Sequence, residues 1–490
     1  GWQKWLPDSL VSKYHLPAFA HFTGSIDGSF SSVKAQLAGQ SEVGNVTLSG
    51  NWQKETSRKT ESLSLTGSVQ NIALGVILKD TSLQTFTSHF TVSAIHPFTE
   101  YRQLDYTILV DNIGYQGTEY TAIQSKGTWK GRNLDFQINT NTVQAEVAFN
   151  GMLDWSNYIH LQGNGFISHF PLPSQGSFPE AITLKNTPLQ LDLTLPDPNQ
   201  VTLQGFFVIP KSTWQTVHKQ VDVEKVQVNF MHSNGQEKMT LESPFMHMSL
   251  AGNRPFLEIP AAVQQVAQAY FIWPNEPKIA EHATIGNWYW EGTVKKHPLM
   301  DLFVEQKIDF KPVVFEGELE TDKSQPTHFT FTSPFLKMDS LEVHDVSFAL
   351  QTTEPSAQIT ASMSQLQQGD FRIRKAESNM EVRQNTANIH LTILDSLDKK
   401  IHQVGFFVEA DSAAIQMALV PKSVFIYYTP WESTEKGYAQ ISANTITFHQ
   451  LGIYSQDQEL SISSDPKNLA DWFIHAKNLD LKTLSTAFTR

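Results

Sequence analysis

The sequence contains no cysteine in 490 residues. Disulfide staples, thiolate metal sites and a cysteine nucleophile are thereby excluded. Charged residues make up only 17%, the lysines and arginines are scattered with no run of five or more, and the net charge is −13, which argues against a nucleic-acid partner. No stretch approaches the ~20 apolar residues of a membrane helix. No secretory leader is visible and residue 1 is glycine, so the chain reads as a mature or trimmed piece of something larger. A phosphate-binding glycine loop, a His-Glu-x-x-His zinc pair, a nucleophile elbow and a calcium loop are all missing. The 17 histidines are dispersed, and His96, His160, His247 and His328 each stand alone near expected strands. That spacing builds no ligand set. No catalytic residue, cofactor or metal is expected.

What is present is apolar and alternating. Hydrophobic residues reach 40% and phenylalanine 31, too apolar for a disordered chain and too weakly charged for a coiled coil. The length exceeds that at which one compact core stops growing, so the chain has several domains or is elongated. Apolar residues recur with period two at Val46, Leu48 and Trp52; at Leu63, Leu65 and Val69; at Phe136 and Ile138; and at Ala145, Val147 and Phe149. The same period returns at Phe329 and Phe331, at Ile389, Leu391 and Ile393, and at Leu460 and Ile462. Successive strand side chains point to opposite faces, so each segment has one apolar and one wet side. Around 144–149, Gln144 and Glu146 should face water. One-sided strands belong to antiparallel sheets covered on one face. Turn signals stand at Asp27-Gly28, Gly163-Asn164-Gly165, Ser233-Asn234-Gly235 and Gln368-Gly369-Asp370. One strand per ~12 residues gives on the order of 35–40 strands.

Helix signals are few. Ile259, Ala262, Val263, Val266, Tyr270 and Trp273 keep 3-4 spacing, so a short helix is expected over 259–273, with Pro260 at its start and Pro274 at its stop. A second is expected from Asp465-Pro466, burying Leu469, Trp472 and Phe473. Residues 172–200 and 274–298, rich in proline and polar side chains, read as the softest joints. They suggest three parts: β repeats over 1–171, a central segment with the helix over 172–298, and further β repeats over 299–490.

Two other patterns invite chemistry. Phe315-Glu316-Gly317-Glu318-Leu319-Glu320-Thr321-Asp322 places four carboxylates on one strand face, as in a cation site or a glycosidase pair. Alternation alone produces the same pattern as a solvated outer face, which is the preferred reading. Asn45-Val46-Thr47 matches a glycosylation acceptor, at a frequency a Ser/Thr-rich chain reaches by chance.

Phrases recur. Asn71, Ile72, Leu74 and Ile77 line up with Asn478, Leu479, Leu481 and Leu484. Gly205-Phe206-Phe207-Val208 returns as Gly405-Phe406-Phe407-Val408, and Ser243-Pro244-Phe245 as Ser333-Pro334-Phe335. The offsets differ, which suggests a loosely repeated β unit rather than a fixed-period solenoid. Leu16-Pro17-Ala18-Phe19 with Gly24-Ser25-Ile26-Asp27-Gly28, then Gly44-Asn45-Val46-Thr47-Leu48-Ser49-Gly50, resembles the opening of an AsmA-like repeat. Ile113-Gly114-Tyr115 with Tyr120-Thr121-Ala122-Ile123, and the run Tyr427-Tyr428-Thr429-Pro430-Trp431, is similar to stretches of TamB-like proteins of the Bacteroidota. The resemblance covers most of 14–170 and 315–488 and is weaker between.

The TamB-like or AsmA-like resemblance implies an elongated antiparallel β-taco, a U-shaped sheet with a hydrophobic groove inside and one or two short helices. It implies a periplasmic place in a Gram-negative cell envelope, with phospholipid as cargo and an outer-membrane barrel of the TamA/BamA type as partner. The membrane anchor and the partner-binding region of the family are not recognisable here, so the chain reads as an internal segment attached through regions outside it. Stacked at ~4.8 Å, 35–40 strands would reach roughly 170–190 Å. The period-two residues named above, from Val46 to Ile462, are then the candidates to line the groove. The rival readings are an envelope scaffold of closed β-sandwiches and a carbohydrate-active enzyme using Glu316 to Asp322.

Overall fold

The computed structural model describes residues 17, 19–55, 60–99, 102–143, 145–172, 181–196, 202–233, 235–274, 285–304, 306–322, 324–411, 413–442, 445–469 and 471–479. Leu16, Ala18, Asn234, Gln144, Leu481 and Leu484 lie outside the described residues, as do 173–180, 197–200 and 275–284 of the two expected joints. The protein is mainly β. Its 36 described strands form an open antiparallel sheet that does not close into a barrel. Two compact units divide the chain: Gly1–Met231 with Leu241–Pro244 and Pro298–Glu305, and His232–Thr240 with Phe245–His297 and Gln306–Arg490.

In the first unit, long strands follow one another from Ala20–Ser29 to Thr183–Leu195. Directly opposed residues in an antiparallel pair share a face. The register therefore draws rows across the sheet. One row reads Leu37, Leu48, Gly67, Phe90, Ile108, Ser125, Ile138, Phe149, Gly165, Leu189. The row beside it, on the opposite face, reads Gln36, Ser49, Thr66, Thr91, Thr107, Lys126, Gln137, Asn150, Asn164, Gln190. Alternation in single strands is thus summed into one apolar and one polar face.

Glycines in the apolar rows lie under aromatic rings. A Cβ on Gly165 would stand 2.8 Å from Cδ2 of Phe149, and one on Gly151 would stand 2.6 Å from Cζ of Phe136. This corrects the turn expected at Gly163-Asn164-Gly165, which lies inside the strand Ile159–Pro171. The glycines there make room for the Phe149 ring across the ladder. Asp27-Gly28 likewise falls inside Ala20–Ser29, whereas Gln368-Gly369-Asp370 does turn, with Gly369 at φ 59°.

The apolar alternation also changes phase within strands. In Thr60–Ala73 it passes from Leu63, Leu65 and Val69 to Ile72, and Asn71 between them has φ 51°. Asn186, at φ 48°, marks the same change between Leu184 and Leu189. Asparagine tolerates the left-handed region better than other side-chain-bearing residues. Asn478, the counterpart of Asn71 in the repeated phrase, also has φ 51°. The phrase thus marks a left-handed asparagine close to the end of a strand, inside Thr60–Ala73 in one copy and just after Trp472–Lys477 in the other. After Asn71 comes a helix, Leu74–Leu78, that alternation did not reveal.

The second unit repeats the logic. One row runs Leu250, Trp290, Gly317, Phe329, Leu350, Ile359, Met380, Ile389, Phe406, Leu419. The helix Ile259–Tyr270 lies on this apolar face, with Pro260 in its first turn. Ala262 is buried with Trp288 and Leu319, and Phe256, Ile259 and Val266 pack around them. The far end, Tyr270 and Phe271, packs on Ala357, Val382 and Ala387. Asn385 locks that end: its N–H donates to Tyr270 O at 2.9 Å, and its Oδ1 accepts from Ile272 N–H at 2.9 Å.

Several expectations are corrected. The helix ends at Tyr270, and Val263 and Trp273 are exposed rather than part of its buried stripe. Among the described residues no helix follows Asp465. Trp472–Lys477 is a strand, and Leu469, Trp472 and Phe473 are each more than half exposed. The repeated Gly-Phe-Phe-Val phrases are not equivalent. Phe207 lies in an apolar row with Leu191 and Val228, whereas in the second copy it is Phe406 that faces Ile389. The two phrases differ in phase by one residue, which reverses the faces.

The helix packing yields a contrast. Val266→Asp should lower the unfolding free energy by about 3 kcal/mol, because an unpaired charge would be placed against Trp288 and Leu319. Val263→Asp, on the exposed side, should change it by less than about 0.5 kcal/mol. Thermal melts and limited proteolysis over 250–274 check both. Equal behaviour of the two variants would contradict the packing.

Candidate functional site

The second unit encloses an open groove of about 1450 Å³. Its floor comes from two rows. One is Phe331, Phe348, Ala361, Ser378, Leu391, Val404, and the other is Met363, Ala376, Ile393, His402. Leu451, Ile453, Leu460, Ile462 and Ile474 add a wall, paired through the last strands. Val343 and Val346 both line the groove although their positions differ in parity, because Asp345 between them takes φ 48°. The neighbouring strands are interrupted at the same level, at Ser364 and Arg374. A crease therefore lets both phases of the alternation present apolar side chains to one hollow.

Of the residues expected to line a groove, Phe329, Phe331, Leu391, Ile393, Leu460 and Ile462 are brought together here. Ile389 lies one row nearer the helix, packed with Ala387 and Val408. In the first unit, Val46, Leu48, Trp52, Leu63, Leu65, Val69, Phe136, Ile138, Val147 and Phe149 share one face through four adjacent rows. Ala145 is buried just before the strand Glu146–Asp154, and Glu146 is exposed. The hollow of this unit is smaller, about 540 Å³, and lined largely by Gly, Ser and Thr around Leu37 and Leu48.

One lip of the large groove is a two-residue hairpin turn. Ile426 pairs with Thr429, and Tyr427 and Tyr428 between them have φ 48° and 64°. Such turns favour Asn-Gly, and each bulky left-handed residue costs roughly 1–2 kcal/mol. The turn is pinned by Tyr428 N–H to Ile401 O at 3.0 Å and by Tyr428 Oη, which donates to Asp395 at 2.8 Å. That hydroxyl holds the Asp395 carboxyl below the usual carboxylate range, and the same bond raises the Tyr428 phenol.

A second polar feature sits at the helix entry. Glu237, on the strand Gln236–Glu242, is buried, and its Oε1 has no hydrogen-bond partner. Burial raises its carboxyl above the ordinary value. The Phe256 N–H, which donates to the carboxylate, and His232 oppose that rise, and Glu258 reinforces it. In sequence Glu237 belongs to a polar alternating run, which gives no hint of burial.

The other expected chemistry disperses. Glu316 is exposed, Glu318 and Glu320 accept from Asn287 Nδ2, and Asp322 closes a turn on Ser324. His160 pairs with Asp192 at 2.8 Å, and His328 lies 3.7 Å from Glu318. Among the described residues no group of three or more His, Asp or Glu side chains is placed to hold a metal ion. No family model matches the chain, and no curated protein matches it.

Glu237 predicts a pH dependence. Its raised value means that the folded state holds the proton more tightly than the unfolded state, so stability falls as pH rises through the interval above the ordinary carboxylate value. Glu237→Gln should remove that fall, with a higher melting temperature than the wild type at pH 8 and little difference at pH 4. Melting curves across this range check it. A Gln variant less stable than the wild type at pH 8 would contradict the sign.

Proposed function

We propose that the chain is a non-enzymatic segment of a lipid-conducting β-groove of the Gram-negative cell envelope, with phospholipid acyl chains lying along its apolar face. The observation that carries this reading is the open hollow of about 1450 Å³ whose floor is mainly apolar side chains held in register over successive strands. A concave, mostly apolar hollow with a few polar groups at its edge is the usual form of a ligand-binding site. The sequence resemblance supports the same reading, with a U-shaped sheet as its architecture and an outer-membrane barrel of the TamA/BamA type as its partner. The mechanism is passive. Acyl chains exchange water for Phe, Leu and Ile contacts at about 25 cal/mol per Å² of buried apolar area, and head groups stay at the open rim. Progress along the sheet needs no chemical step, because most neighbouring positions in one row are apolar.

The helix Ile259–Tyr270 fits this reading as a cover for the part of the apolar face that lipid does not reach. An uncovered strip of that kind promotes aggregation.

Photo-crosslinking residues test the facing. At Ile393, on the groove floor, a crosslinker should capture lipid. At Asn388, exposed on the other face of the same strand, it should not. Val147 against Glu146 makes the same contrast in the first unit. Native mass spectrometry of the gently extracted protein should show bound phospholipid. Equal capture at both faces, or a lipid-free protein, would reject the conduit in favour of the envelope scaffold.

A further inference from the structure

The two-residue turn between Ile426 and Thr429 is unlike its counterparts in the same sheet. Among the described residues, two other turns of this length put both central residues in the left-handed region, Gln116-Gly117 between Tyr115 and Thr118 and Gln384-Asn385 between Arg383 and Thr386. Each carries glycine or asparagine at its second position, the residues that tolerate that backbone. Tyr427-Tyr428 carries neither, and a bulky side chain in that region is an outlier. Two of the bonds that hold the turn need no tyrosine. They run from backbone N–H groups, Tyr428 to Ile401 O at 3.0 Å and Tyr427 to His402 Nδ1 at 3.3 Å. The rings themselves meet edge to face, 5.4 Å apart. Both tyrosines line the hollow together with Ile426 and the floor residue His402. The Tyr428 hydroxyl reaches Asp395, two positions beyond the floor residue Ile393, yet Tyr428 remains 48% exposed.

We infer that Tyr427 and Tyr428 are positioning residues for the bound lipid: their rings close against its acyl chains at the groove's edge and slow its release. The inference rests on the acyl-chain reading above and adds the residues that retain the cargo. Three features carry it. A tyrosine has an apolar body and a polar tip, which suits an edge with hydrocarbon on one side and water on the other. The Tyr428 hydroxyl is already satisfied by Asp395, so its ring can lie on hydrocarbon without leaving that group unpaired. The turn fixes both rings before any ligand arrives, so little side-chain freedom is lost on binding. A turn with only a structural duty would do better with Asn-Gly, which keeps both backbone bonds and removes the strain. A strained backbone that persists at a rim is what a ligand clamp requires.

The test uses the full chain loaded with a pyrene-acyl phosphatidylglycerol, whose release into excess unlabelled phosphatidylglycerol vesicles is followed by fluorescence. Tyr427→Asn/Tyr428→Gly supplies the residues the turn prefers. This variant should melt at a higher temperature than the wild type and release the lipid about tenfold faster, the scale of two lost ring contacts. Tyr427→Phe/Tyr428→Phe keeps the rings and should release it within about twofold of the wild-type rate. Gln116→Asn, in a left-handed turn outside the groove lining, should leave release unchanged. Unchanged release from Tyr427→Asn/Tyr428→Gly overturns the assignment. So does a lower melting temperature for that variant, because faster release would then follow from a loosened fold. Release from the double phenylalanine variant as fast as from Tyr427→Asn/Tyr428→Gly shows that the hydroxyls rather than the rings act, and overturns it too. Each of these results leaves the groove reading standing, whereas a wild type that takes up no lipid overturns both.

Discussion

The antiparallel hydrogen-bond ladder is the constraint on which the rest depends. Each strand offers only a weak period-two pattern, and no single strand buries much. Pairing residue against residue adds those patterns across the sheet, so that Leu48 meets Gly67, Gly67 meets Phe90 and Phe90 meets Ile108. A slip of one residue would exchange the apolar and polar faces of a whole strand. The large polar content of the other face, mostly Ser, Thr, Asn and Gln, makes such a slip costly. The glycines of the apolar rows belong to the same constraint, since rings such as Phe149 lie across the ladder where a neighbour has no Cβ.

The groove arises where the ladder is interrupted, not where it is most regular. An alternating strand shows one set of side chains to each face and cannot change sets without a backbone irregularity. Left-handed residues supply it, Asn71 and Asn186 in the first unit and Asp345 in the second. At Asp345 both Val343 and Val346 reach the same hollow. Function, on the reading proposed, is a solvation property of that hollow and its rim rather than of a reacting group. His160 and Asp192, His328 and Glu318, and Asp322 with Ser324 form scattered pairs and a turn, apart from that hollow.

The helix and the hairpin lip show how such a surface is kept tractable. Ala262 and Val266 cover Trp288 and Leu319, and Tyr270 covers Ala357 and Val382, so part of the apolar face is satisfied within the chain. Tyr427 and Tyr428 take a backbone that other residues would adopt more readily, and hydrogen bonds to Ile401 and Asp395 hold them there. Strain of this kind persists only when the surroundings impose it, and it concentrates at ligand-binding edges.

Much of this was legible in the residues alone. Strand identity, antiparallel pairing and the apolar face were readable because alternation is a local property of each segment, and Val147 or Leu391 carries it without help from distant residues. The helix was readable from the 3-4 spacing of Ile259, Ala262 and Val266. Tertiary structure decided what depends on partners across the sheet. Gly163 and Gly165 look like a turn until Phe149 is placed beside them. Trp472 and Phe473 suggest a buried helix until a neighbouring strand pairs with them. Glu237 reads as a surface residue until the helix entry folds over it. The crease at Asp345, and with it the groove, could not be read in advance, because a change of phase acquires meaning only when the adjoining strands are interrupted at the same level.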